Sequence, residues 1–186
     1  MKRKLLVLSV LVICLTTIAA GTIAYFTSES KAHNVITTGG VEIKLLEWAD
    51  EDKTKPFENL AGVMPKASTT KIAEVENTGK APAWVRVKVE KSFTLAEEIE
   101  TEADPEMVVL DINTANWTQG TDGYLYYNEA LQPGAKTEPI FTSVTFKPEM
   151  GNEYQNATVT VDVMAHAVQT ANNGSTAMTA NGWPAP

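Results

Sequence analysis

His33 and His166 are the only two histidines of this 186-residue chain. They are also the residues best suited to hold a catalytic zinc or to move protons near neutral pH. A catalytic zinc takes three protein ligands, usually His with Glu or Cys. These two stand far apart in the chain and outside any His-Glu-x-x-His spacing. His166 also falls on the polar side of an alternating stretch, so both read as ordinary surface histidines and as weak metal candidates at most. Pairing of the first and last strands could still bring them together. The acidic run Glu97, Glu98, Glu100, Glu102, Asp104, Glu106 lacks the loop spacing that wraps calcium. It reads as a solvated face, as does "ADEDK" at 49–53. No nucleophile elbow, phosphate loop or Cys/His dyad is present. The triplets at Asn116, Asn156 and Asn173 fit the glycosylation pattern but read as chance matches in an Asn- and Thr-rich chain. The expectation is therefore no enzyme, no cofactor and no metal.

The elements around these residues read as strands. Val85, Val87 and Val89 alternate with Trp84, Arg86, Lys88 and Glu90. Val159, Val161, Val163 and Ala165 alternate with Thr158, Thr160, Asp162, Met164 and His166. Val41, Ile43 and Leu45, and then Ile140, Val144 and Phe146, repeat the pattern. A period of two buries one face and wets the other, as in antiparallel sheets. Turn chemistry separates these runs: "ENTGKAP" at 76–82, "TQGTDGY" at 118–124, "QPGAK" at 132–136 and "KPEMGNE" at 147–153. The pattern predicts an all-β fold, a jelly-roll-like antiparallel β-sandwich. One short helix is expected over Phe93–Glu100, with Thr94 as N-cap and Glu97 three residues later. The segment 169–186 is small and polar and is expected to be a mobile tail.

The front of the chain differs. Lys2, Arg3 and Lys4 precede the uncharged run Leu5–Ile18, and the small residues Thr22 and Ala24 stand two apart. These are the three regions of a secretory signal, with cleavage expected after Ala24 so that Tyr25 comes first. A retained anchor is the alternative, since Leu5–Ile23 is just long enough to span a bilayer. In either case residues 25 onward lie outside the cell. The domain reading is thus a signal helix at 1–24, a sandwich at 25–168 with an N-terminal strand segment at 25–38, and the tail at 169–186. Fifteen basic residues face 23 acidic ones, a net charge of −8. Losing the basic N-terminus makes the exported chain more acidic still, which argues against nucleic acid or anionic membrane as partners. The single cysteine, Cys14, lies in the apolar run behind Val12 and Ile13, where a lipid-attachment motif wants small residues. The exported chain then has no disulfide and depends on its core, for which it is long enough.

The junction "GTIAYFT" followed by "NVITTGGVEIKL", which includes Gly39 and Gly40, resembles that of the TasA/camelysin family of Gram-positive exported proteins. Their signal is cut by a SipW-type peptidase just before an aromatic pair, here Tyr25-Phe26, followed by Thr27. An acidic residue commonly comes next; this chain has Ser28 and then Glu29. "MPKASTTKIAEVENTGKAPAWVRVKV" (64–89) resembles the family's proline-led strand, turn and Arg-bearing strand through Pro65, Asn77, Gly79 and Arg86. The usual Pro-Gly is Pro65-Lys66 here. "DGYLYYNEALQPGAKTEPIFTSVTF" (122–146) resembles a second such unit, with Pro133-Gly134 intact. The resemblance implies a jelly-roll sandwich and a secreted subunit of biofilm-matrix or cell-surface fibres, self-associating by N-terminal strand donation. Tyr25, Phe26 and Thr27 are then the candidate assembly strand, and the signal peptidase is the processing partner. No stable membrane anchor remains after cleavage. The family also contains a protein described as a zinc endopeptidase. That enzyme reading, and a monomeric exported binding module, stand as alternatives.

Overall fold

The computed structural model describes residues 35–37, 41–57, 65–95, 102–154 and 157–184. Chain packing divides the molecule into Met1–Ala32 and His33–Pro186, and all the described residues belong to the second unit. The signal region, Tyr25–Thr27, His33, Gly39 and Gly40 lie outside the described residues.

The protein is an all-β sandwich. Its strands are β1 (Val35–Thr37), β2 (Ile43–Trp48), β3 (Ser68–Asn77), β4 (Ala83–Thr94), β5 (Val108–Leu110), β6 (Trp117–Gln119), β7 (Leu125–Tyr127), β8 (Phe141–Phe146) and β9 (Thr158–Gln169). One sheet runs in the order β1-β9-β4-β7-β6 and the other β2-β3-β8-β5. Consecutive strands repeatedly cross between the sheets, as in a jelly roll. The pairing is antiparallel except at β1, which lies parallel to β9 with Ile36 opposite His166. The long pair is β4 with β9, in unbroken register from Ala83 opposite Gln169 to Thr94 opposite Thr158.

The alternating residues meet between the sheets. Val41, Ile43, Leu45, Ala73 and Val75 from one sheet pack with Val85, Val87, Val159, Val163 and Ala165 from the other. Val85 and Val87 are wholly buried, as their period requires. Ile140, Phe141, Val144 and Phe146 close the same core. The expected helix is corrected at its start. Phe93 and Thr94 continue β4, held opposite Val159 and Thr158, and the Phe93 ring meets Tyr154 edge-on at 5.0 Å. Residues 96–101 lie outside the described residues. Among the described residues only short 3-10 turns occur, at Pro105–Met107, Asn152–Tyr154 and Ala177–Thr179.

Candidate functional site

The two motif turns share one bracket, Asn77 at the end of β3. Its amide Nδ2 donates to the carbonyls of Ala81 at 2.9 Å and Leu131 at 2.8 Å, and its Oδ1 accepts from Gly79 N at 3.0 Å. Its backbone N–H donates to Ala135, and its carbonyl accepts from Gly134 N. An Asn supplies amide donors and an acceptor together, which this corner needs. Gly79 is required for space, because a Cβ there would stand 2.9 Å from Glu42 N. Gly134 follows Pro133 with φ +75°, the left-handed value a glycine adopts freely. At the other turn, Lys66 carries φ +65° in the place where a glycine is usual. Pro65 is exposed beside it.

The β9 flank is unevenly covered. On one side β4 matches all of β9, whereas on the other β1 matches only Ala165–Ala167. Among the described residues no strand lies along 158–164 on that side. One side chain reaches this stretch from the opposite sheet. Lys71 of β3, buried between the sheets, donates from Nζ to the Val161 carbonyl at 2.9 Å. It pairs with Glu47 at 2.8 Å and lies 4.4 Å from the centre of the Phe57 ring. The Lys71 ammonium thus occupies one main-chain acceptor of β9.

On the outer face of the five-stranded sheet, Arg86 and His166 stand opposite each other on β4 and β9. Both are buried, His166 at 0% exposure and Arg86 at 7%. The expectation that His166 is a surface residue is corrected. The segment 173–184 folds back over this end of the sheet, burying Ala177 and Ala180 against Trp84, Tyr124, Tyr126 and Val168. Of the stretch 169–186, expected to be a mobile tail, residues 173–184 are thus packed on the sheet, and residues 185–186 lie outside the described residues. The Trp84 indole donates to the Asn173 carbonyl at 2.8 Å, and Asn173 closes the loop by exchanging hydrogen bonds with Asn181. The Arg86 guanidinium lies 3.8 Å from the Tyr124 ring centre and 4.8 Å from that of Trp183, a cation–π cage. Its Nη2 donates to the Pro184 carbonyl at 2.9 Å. Its Nε and Nη2 lie 3.4 and 3.3 Å from His166 Nδ1. Arginine has no acceptor, so Nδ1 accepts and the imidazole proton sits on Nε2. That Nε2, the Tyr124 hydroxyl and the Trp183 Nε1 are buried without a hydrogen-bond partner. Asp122 lies 3.6 Å from Arg86 Nη1 and accepts from the Tyr126 hydroxyl at 2.6 Å. That hydrogen bond, backbone donors and the Arg86 charge outweigh partial desolvation and hold the Asp122 carboxyl below its ordinary value. Burial first, and the Arg86 charge second, hold His166 below its own.

A second buried charge went unread in the sequence. Glu74 of β3 is 1% exposed on the outer side of the other sheet. It accepts from the Trp48 indole at 3.2 Å, pairs with Lys53, and lies 3.7 Å from Lys136. This carboxylate pins the 49–57 loop to β2 and β3. Its one signal was Ile72, an apolar residue two positions before Glu74 on the same outward face in "KIAEVE", which marks that face as covered.

The structure thus gathers Asn77, Gly79 and Gly134 at one corner and places Arg86 in a separate cage with His166; Pro65 is apart from both. His166 is ill placed as a zinc ligand, since its Nδ1 faces a guanidinium. No group of three potential ligands occurs among the described residues. Compared with protein-family models, curated proteins and solved structures, the chain gives no match.

Proposed function

We propose that this chain is a secreted structural subunit of the TasA/camelysin kind, built into extracellular-matrix or cell-surface fibres by N-terminal strand donation. The observation that carries the reading is the asymmetry of β9: its partner on one flank runs its full length, and on the other it is the three-residue β1. A strand donated by a neighbour gains main-chain hydrogen bonds along such an edge and seats alternate side chains against it. The residues before β1 are polar and strand-capable, with Phe26 as the large apolar anchor. Export by a cleaved signal keeps the donor strand from acting before it leaves the cell.

The test compares protein begun at Tyr25 with protein begun at Thr38, which lacks β1. The first forms oligomers or fibres on standing, measured by light scattering and electron microscopy. The second stays monomeric with its thermal transition retained. A bulky N-terminal fusion slows the first. Equal polymerisation of all three removes N-terminal donation, and a mature protein that stays monomeric at high concentration favours a binding module.

A further inference from the structure

We propose that Arg86 and His166 make the C-terminal segment 173–184 an acid-released latch, in which protonation of His166 frees the segment from the outer face of the five-stranded sheet. The argument starts from the proton's destination. Nε2 of His166 already carries a hydrogen, so a second proton must enter at Nδ1, where Arg86 Nε and Nη2 now donate. Nδ1 then changes from acceptor to donor. The guanidinium has to turn away, and with it go the Nη2 bond to the Pro184 carbonyl and the stack on Trp183. Those are the contacts that hold the end of the segment.

Charge acts in the same direction. From β4, His166 faces Arg86, and further along Lys88, which is paired with Glu90 at 2.7 Å. From the residue just before β7 it faces Tyr124, at 5.6 Å between rings, and β7 itself adds Tyr126 to the same outer-face cluster. The turn before β7 contributes Asp122, and β9 itself carries only the exposed Asp162 further along. Strand β1 and the segment 173–184 contribute no ionisable side chain. The Asp122 side chain, 44% exposed, is the one carboxylate near Arg86 among the described residues. A protonated His166 would set two buried cations against that single partner.

The sign follows from the direction of the shift. The imidazole is held below its ordinary value in the latched state and regains that value, about 6.5, when released. Latching is therefore full above about pH 6.5 and weakens as pH falls from there toward the lowered value. Release uncovers Trp84, Tyr124, Tyr126 and Val168 together, an apolar face that is closed at neutral pH.

Amide hydrogen exchange on the full chain at pH 7.5 and 5.5, corrected for intrinsic rates, tests this. Protection across 173–184 falls severalfold, to a ceiling of about tenfold, at the lower pH while β3 and β8 keep theirs. His166→Gln, which cannot take the proton, shows the same protection at both pH values. A wild-type segment whose protection ignores pH overturns the latch, as does an unchanged pH response in the variant. Should His166→Gln not fold, imidazole NMR of the wild type decides: His166 protonation and segment release share one midpoint, and well-separated midpoints overturn the proposal.

Discussion

Asn77 Nδ2 donates to the Leu131 carbonyl at 2.8 Å, so one fully buried side chain ties the turn after β3 to the turn before β8. Asn77→Ala removes three hydrogen bonds and leaves Gly79 N without its side-chain acceptor. Gly79 N keeps its bond to the Glu42 carbonyl, so at about 1 kcal/mol for each lost bond the loss is about 3 kcal/mol. Asn77→Asp keeps the acceptor but aims a carboxylate at two carbonyls, so its carboxyl is held above its ordinary value. Such a group destabilises more as pH rises. Urea unfolding at pH 4.5 and 7 therefore shows a wider deficit for Asn77→Asp at pH 7, and a pH-independent deficit contradicts the assigned contacts.

Lys66 occupies a left-handed backbone position that costs a side-chain-bearing residue about 1–2 kcal/mol. Glycine there removes that strain but adds about 0.5–1 kcal/mol of unfolded-chain entropy. Lys66→Gly is therefore expected to stabilise the protein by about 0.5–1 kcal/mol, raising Tm by about 1–4 °C. A lowered Tm would show that the lysine makes a compensating contact.

Val87 and Val161 point into the sandwich, and Thr158 points out of it. Aspartate at either valine strands a carboxylate in the core, at a cost of several kcal/mol. Against a typical domain stability of about 5–15 kcal/mol this unfolds much of the population. Thr158→Asp serves as the control, within about 0.5 kcal/mol of wild type. Circular dichroism on heating separates the two classes, and similar transitions in all three variants would reverse the face assignment.

The sequence-based expectation is a cut after Ala24, set by the small residues Thr22 and Ala24. N-terminal sequencing of exported material is expected to begin at Tyr25; membrane-bound protein beginning at Met1 would make the segment an anchor.

The inner faces were legible because each strand carries its burial in a period of two: Val85 and Val87, and Val159 and Val163, needed no partner to be identified. The outer face was not legible. Strand β9 reads as wet at His166 only if nothing covers it, and what covers it is "NNGSTAMTANGWP", a segment with no periodic apolar stripe. Its hold depends on two alanines, one tryptophan and an arginine supplied from β4. Arg86 was singled out by its motif, but its partner lies on a strand made much later in the chain. Glu74 and Lys71 were hidden similarly, since their partners come from a loop and from the facing sheet. Pattern along one strand reports burial well and reports long-range pairing poorly.

The β4–β9 register also bears on timing. The most extensively paired strand of the five-stranded sheet waits for residues 158–169, near the end of the described chain. Sandwiches dominated by such distant pairings fold in about milliseconds to seconds, whereas helical bundles finish in microseconds to milliseconds. A chain passing through a membrane from its N-terminus delivers β4 long before β9. Until the last strand emerges, β4 has only the short β7 to pair with, and the polypeptide stays threadable. For a protein exported as we propose, late closure leaves the translocating chain nothing folded to unravel.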